Sequence, residues 1–414
     1  MIREGYLPRL VDPLLGELLA SFPALLVTGP RGTGKTTTAA RHASTVIRLD
    51  SPGDANLFSA DPDAALRGLP EPILLDEWQA VPDVLGAVKR AVDTDSRPGR
   101  FLVTGSVRAD LRARTWPGTG RLIRVPLWGL TVREIQGRSG AATVLDRLAS
   151  QGTDALENPA DPPDLRGYVD LALAGGFPEP ALHHSATERR LWHESYLDHV
   201  MTRDTELIDT SRDPVRLARY FEALAASTAG VVAEKTLRDA AQISYNTAVA
   251  YERLLNNLFL VDPVPAWSGN RLKRLARQPK RYVVDPSLAA ASLHLDATGV
   301  LRSGDFLGRV LETFVAAQIR AELSLCGSRP SLYHLRDQDG RREVDLLLEL
   351  ATGRVVAIEV KAKAGPNRTA AKHLEWLRDQ IGEQFVAGIV LHTGPYVYRL
   401  ADRIVAAPIA ALWS

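Results

Sequence analysis

Five short apolar stretches lie near residues 25, 47, 73, 102 and 123, with helical patterning between them. Apolar runs of that length alternating with helices predict a doubly wound parallel sheet whose ligand crevice lies at the strand ends. Helical periodicity then dominates from about 185 to 260, and from about 305 the order becomes helix, strands, helix, strand. Residues 137 to 166 are rich in Gly, Ala, Asp and Pro and close on Asn158-Pro159-Ala160-Asp161-Pro162-Pro163-Asp164, which predicts a flexible boundary. The pattern therefore predicts an α/β protein of three parts: 1–165 with the parallel sheet, 166–295 helical and winged-helix-like, and 296–414 α/β.

Composition narrows the class. At 414 residues the chain is too long for one ordinary core, and 45% apolar with 24% charged residues describes a folded protein. Fifty basic residues against 49 acidic ones leave a net charge of +1, so any polyanion must meet a local basic surface. The single cysteine, Cys326, excludes an intrachain disulfide framework or a Cys-rich zinc site, fits a reducing compartment, and is expected to be buried. The start lacks a signal-peptide pattern and no run of eighteen apolar residues occurs, so a cytoplasmic protein that does not contact membrane is expected.

Directly after Ala24-Leu25-Leu26-Val27 comes Gly29-Pro30-Arg31-Gly32-Thr33-Gly34-Lys35-Thr36, a G-x-x-x-x-G-K-T loop that opens a helix through Thr37. Its glycines let consecutive backbone N–H groups face phosphates, Lys35 reaches the β and γ oxygens, and the Thr36 hydroxyl can hold Mg²⁺. The helix dipole favours the same anion. ATP and Mg²⁺ are the expected cofactors. The strand Pro72-Ile73-Leu74-Leu75 ends in Asp76-Glu77, where Asp76 would hold the metal through water and Glu77 would orient and deprotonate the attacking water. Thr104-Gly105-Ser106 ends a third strand, as a γ-phosphate sensor or as plain turn chemistry. A transition-state arginine would come from Arg108, Arg112, Arg114 or Arg121. Arg121 is preferred because it follows Gly118-Thr119-Gly120 just before a strand, although a solvated surface charge reads the same way.

In the middle, Thr236 to Ala241, a turn at Gln242-Ile243-Ser244, and Tyr245 to Leu258 read as two helices in helix-turn-helix grammar. Tyr245, Asn246, Thr247 and Arg253 would then face nucleic acid, unless the pair only packs on the ATPase. The stretch Trp267 to Arg281 carries six basic residues and no acid, and would track phosphates or form a solvated loop.

Towards the C-terminus, Glu312 lies beside the apolar stripe of the helix Phe306 to Leu325. Asp345 lies opposite Val344, Leu346 and Leu348 on one strand, and Glu359 with Lys361 share a face of the next. Carboxylates so placed can hold Mg²⁺ or Mn²⁺ for phosphodiester cleavage, with the lysine placing the nucleophile. Of only eight lysines, Lys361 alone follows an acid at the second position before it. A cross-strand ion pair or a degenerate site are the other readings.

The chain as a whole resembles a prokaryotic family, an AAA-superfamily ATPase fused to a C-terminal region ending in a PD-(D/E)xK, restriction-endonuclease-like domain. The resemblance rests on Tyr6-Leu7-Pro8-Arg9, the loop at Gly29 to Thr36, Leu75-Asp76-Glu77-Trp78-Gln79, Thr104-Gly105-Ser106, Gly175-Gly176-Phe177-Pro178-Glu179, Pro279 to Asp285, Gly308 to Glu312, Arg342 to Asp345 and Ile358-Glu359-Val360-Lys361. It implies ATPase positions Lys35, Thr36, Asp76 and Glu77, and nuclease positions Glu312, Asp345, Glu359 and Lys361, with Lys372 or Gln380 in the following helix. The expected activity is an ATP-hydrolysing, metal-dependent nuclease on DNA in preference to RNA, with nucleotide binding gating access of the nucleic acid, and a homo-oligomer is among the expected assemblies. The alternative is a nucleotide switch whose C-terminal domain binds DNA or a protein without cleaving. A small-molecule kinase is disfavoured by the Asp76-Glu77 pair.

Overall fold

The computed structural model describes residues 5–108, 120–140, 142–204, 213–270, 274–275, 277–337 and 340–414. Arg112, Arg114, Gly118, Thr119, Arg271 and Lys273 lie outside the described residues. The chain divides into two compact units, one running to Leu130 and including Asn257–Phe259, the other comprising Thr131–Asn256 and Leu260–Ser414.

The first unit is built on five parallel strands, β1 (Ala24–Thr28), β2 (Thr45–Arg48), β3 (Ile73–Asp76), β4 (Phe101–Gly105) and β5 (Leu122–Pro126), in the order β2-β3-β4-β1-β5. The central strands β1, β3 and β4 are buried throughout, which is why they read as continuous apolar runs without alternation. Leu26, Leu75 and Val103 project into one core with Val84, Val88 and Val92 of the helix Val84–Thr94. All five strands point the same way, so the ends of β1, β3 and β4 bring Thr28, Asp76 and Thr104 to one edge. The expected doubly wound α/β sheet is present.

The second unit holds a helical part and a mixed sheet. The helices Glu234–Ala241 and Tyr245–Asn257 flank a turn in which Gln242 adopts the left-handed conformation (φ 53°), and β6 (Val261–Val264) pairs antiparallel with β7 (Lys280–Val283) just after them. Six further strands are β8 (Ser331–Arg336), β9 (Glu343–Glu349), β10 (Val355–Lys361), β11 (Phe385–His392), β12 (Tyr398–Ala401) and β13 (Ile404–Pro408), ordered β12-β13-β11-β10-β9-β8. The long helix Gly304–Glu322 packs against β10, and the helix Lys372–Ile381 closes a core of Val344, Leu347, Val355, Leu374, Leu377 and Phe385.

Residues 131 to 165, assigned from sequence to the ATPase part, belong to the second unit. Arg133 is tied to Glu322 by a buried pair at 3.0 Å, and Asp146 accepts from Ser328 N and Oγ at 3.2 and 2.9 Å. Cys326 is buried beside Thr143, and burial pushes its thiol up to about 12, which leaves it inert. Among the described residues no helix is long and apolar enough to cross a membrane.

Candidate functional site

The phosphate loop begins where β1 ends. A Cβ on Gly29 would meet the Leu127 carbonyl oxygen at 1.9 Å, so only glycine lets the loop pass that backbone. Gly32 and Gly34 take positive φ, 77° and 89°, which turns the chain into the helix Lys35–Ala40. Arg9 fastens the loop from outside, donating to the Thr33 carbonyl at 2.8 Å and the Trp128 carbonyl at 2.7 Å. Thr33 is buried with its hydroxyl on the Pro30 carbonyl at 2.9 Å, whereas Arg31 and Thr37 are exposed. Lys35 is buried and donates to the Pro30 carbonyl at 2.8 Å. Burial lowers its pKa to about 8, against the pull of Glu77 and Asp76.

The two acids at the end of β3 are held by different partners. Asp76 Oδ1 accepts from the Thr36 hydroxyl at 2.7 Å and also from the Thr104 hydroxyl. Glu77 adopts φ 57°, ψ 52°, a left-handed conformation that turns it out of the strand line. Its N–H donates to Thr104 Oγ1 at 3.3 Å, and its Oε2 accepts from Ser106 Oγ at 3.0 Å and from the Gln79 amide. The strand end Thr104-Gly105-Ser106 therefore positions both acids. Gly105 is required there because a Cβ would meet the Trp78 indole nitrogen at 2.3 Å.

Residues 21–136 match the family model of an AAA domain. This unit is a P-loop ATPase domain. Thr36 and Asp76 are adjacent oxygen ligands of the kind Mg²⁺ requires, so the donor set fits that ion.

Arg121 is a correction. Leu122 pairs with Ala24 and Pro126 with Thr28, so Arg121 precedes the far end of the sheet, about 20 Å along the strand direction from the phosphate loop. It pairs there with Asp93 and is half-exposed, so within its own chain it is not placed to meet a γ-phosphate.

In the second unit the structure brings Glu312, Asp345 and Glu359 into one buried neighbourhood, but around a residue that the sequence had placed elsewhere. Lys280, read from sequence as part of a phosphate-tracking run, is 1% exposed and points inward from β7. Its Nζ lies 2.6 Å from Glu312 Oε1, 3.2 Å from Asp345 Oδ1 and 3.5 Å from Glu343 Oε1. Tyr282, two residues along the strand, donates to Glu312 Oε1 at 2.5 Å. Asp345 Oδ2 accepts from Val360 N at 2.9 Å, and Lys361 Nζ donates to Glu359 Oε2 at 2.9 Å. His373 Nδ1 lies 3.9 Å from Glu359 Oε1, beyond hydrogen-bond reach, so that buried oxygen has no hydrogen-bond partner. Lys372 and Gln380 are exposed on the same helix.

The electrostatics follow from this crowding. Burial and the neighbouring Asp345 raise Glu312 to about 8 and Glu359 to about 7. Burial opposes ionisation of Asp345 too, but Lys280 and Lys361 outweigh it and hold Asp345 below its ordinary value. For Lys280, burial is likewise outweighed by Glu312, Tyr282, Asp345 and Glu343, which hold it well above the usual lysine value. Among the described residues no three His, Cys, Asp or Glu side chains are arranged to hold a metal ion. The expected Mg²⁺ or Mn²⁺ set of Glu312, Asp345 and Glu359 thus does not fit a cation as it stands, and, separately, the Lys280 ammonium already engages oxygens of two of them.

The other described arginines of the basic run also have internal partners. Arg274 makes a two-pronged pair with Glu349 at 2.6 and 2.8 Å and stacks on Trp267 and Tyr333, and Arg281 pairs with Glu252 at 2.7 Å. A local charge count could not reveal this, because Glu252, Glu312, Asp345 and Glu349 are remote in sequence. Tyr245 at the start of its helix is 57% exposed, and Asn246 and Arg253 are exposed as well.

Two further family models match, both domains of unknown function, DUF8612 over residues 165–299 and DUF4143 over 307–412. The uncharacterized proteins Rv2008c of Mycobacterium tuberculosis and Mb2031c of Mycobacterium bovis are each 29% identical over 400 residues, covering 95% of this chain and 82% of theirs. Among solved structures, the Walker-type ATPase PABY2304 of Pyrococcus abyssi aligns with TM-score 0.43 and 15% identity, over 70% of this chain and 97% of that one.

Proposed function

We propose that this chain hydrolyses ATP with Mg²⁺ as a nucleotide switch, and that its second unit engages DNA without cleaving it. The observation that carries the ATPase half is the division of labour at the end of β3. Asp76 is bound to the P-loop Thr36 hydroxyl, while Glu77 is turned away and held by Ser106 and Gln79. One acid serves the metal and the other is left to take the proton of an attacking water. Phosphate oxygens arriving at the loop offer Lys35 a stronger acceptor than the Pro30 carbonyl it now bonds, so the ammonium transfers to the nucleotide. Mg²⁺, held by Thr36 and through water by Asp76, would supply neutralisation of the developing phosphate charge.

For the second unit, the geometry favours the noncleaving alternative over the nuclease, since Lys280 engages both Glu312 and Asp345. The DNA-facing surface we assign is the exposed start of the helix Tyr245–Asn257, with Tyr245, Asn246 and Arg253. The test combines phosphate release, fluorescence anisotropy on labelled duplex DNA with and without ATP, and a cleavage assay in Mg²⁺ or Mn²⁺. Expected are turnover lost in Lys35→Ala and Glu77→Gln, DNA affinity that depends on nucleotide, and intact DNA. Turnover no greater than in Lys35→Ala would sink the ATPase reading. Cleavage lost in Asp345→Asn would restore the nuclease, and nucleotide-independent DNA binding would remove the switch.

A further inference from the structure

We infer that the Lys280 ammonium stands permanently in the place of a divalent cation in the Glu312–Asp345 cluster, and that removing it turns the cluster into a Mn²⁺ or Mg²⁺ site. This deepens the noncleaving reading above and rests on it.

A lysine ammonium has three N–H donors and no acceptor. Lys280 Nζ has three carboxylate oxygens around it, from Glu312 on the long helix and from Asp345 and Glu343 on β9, at 2.6, 3.2 and 3.5 Å. Three acids from two elements converge on one buried positive charge; they supply the hard oxygens a divalent cation takes, but as placed they close on the ammonium and not on a metal. The cation is supplied instead by β7, a strand outside the six-stranded sheet, and its side chain is buried. Like-charge repulsion at this range in a poorly solvated site excludes a second cation on the same oxygens.

A second observation points to an unfilled role. Glu359 is 3% exposed, its Oε2 is taken by Lys361, and its Oε1 is buried without a hydrogen-bond partner. A buried carboxylate oxygen without a hydrogen bond is costly, the His373 ring at 3.9 Å compensates it only in part, and in a carboxylate cluster a coordinated metal would satisfy it. With Lys280 removed, Glu312, Asp345 and Glu359 would keep only Lys361 and the more distant His373 as cationic neighbours, which favours capture of a divalent ion.

The experiment is a Mn²⁺ titration followed by electron paramagnetic resonance on the nucleotide-free full chain, in an Asp76→Asn background that silences the phosphate-loop metal position. Four proteins are compared: the background alone, the background with Asp345→Asn, the background with Lys280→Met, and that last variant with Asp345→Asn added. The background is expected to bind no Mn²⁺ stoichiometrically. Lys280→Met is expected to take up one Mn²⁺ per chain, at least about tenfold more tightly, as hard oxygen ligands allow. Asp345→Asn is expected to abolish that uptake. Stoichiometric binding by the background that Asp345→Asn removes would overturn the assignment, as would a Lys280→Met protein of unchanged circular dichroism that binds none. If Lys280→Met folds only when Mn²⁺ is present, the ion has replaced the ammonium and the assignment stands. If it does not fold at all, the background and its Asp345→Asn derivative still decide the question. Phosphate release by wild type is read separately, so loss of the ATPase reading and loss of this one are distinguishable.

Discussion

Raising the pH from about 7 to about 9 should weaken ATP binding about tenfold, because the ammonium that meets the phosphates is close to its neutral form. Lys35 is 4% exposed, and burial lowers its pKa from 10.5 to about 8, with Glu77 and Asp76 opposing the shift. The charged fraction of the nucleotide-free protein therefore falls from about nine-tenths to about one-tenth across that interval. Phosphate oxygens favour the charged form, so binding above the shifted pKa takes up a proton, and the tenfold loss corresponds to about 1.4 kcal/mol. The terminal phosphate finishes ionising near pH 6 or slightly above, about where phosphomonoesters do, so it does not set this window. Stability moves the other way. The unfolded chain binds more protons than the folded one between about pH 8 and the ordinary lysine value, so the first unit gains stability as pH rises through that range. The assay is a fluorescent ATP-analogue titration at several pH values for wild type and Lys35→Ala, with thermal unfolding alongside. Lys35→Ala should bind weakly with no such pH dependence. A wild-type Kd that is flat to about pH 9, or one that changes in parallel in Lys35→Ala, would refute the reasoning.

Two other substitutions test the surrounding architecture. Thr104→Val keeps the shape of a fully buried side chain but removes its bonds to Asp76 and from the Glu77 N–H; turnover should drop more than about tenfold while ATP affinity changes less, for a stability loss of about 1–3 kcal/mol. A KM-to-kcat comparison decides it. Arg133→Ala leaves Glu322 buried and unpaired, and should cost about 3–5 kcal/mol in urea unfolding of the second unit. ATP affinity should be unaffected, since Arg133 belongs to that unit and not to the nucleotide-binding one. Unchanged unfolding would contradict the placement of residues 131–165.

What the chain declares locally was legible. The phosphate loop, the paired acids after β3 and the parallel sheet all depend on residues adjacent in sequence, because a loop that wraps phosphate is built from consecutive backbone N–H groups and a buried strand is a continuous apolar run. The same holds for Glu359 and Lys361, which the two-residue period of a strand puts side by side. The tertiary structure decided everything that depends on remote partners. It set Arg121 at the wrong end of the sheet through the β1–β5 register, moved residues 131–165 to the second unit through Arg133 and Asp146, and turned Lys280, Arg274 and Arg281 from a basic run into internal counterions. Charge counted along a chain says nothing about which carboxylates folding brings within 3 Å of it, and at Lys280 that proximity separates a metal site from a site already filled by the protein's own ammonium.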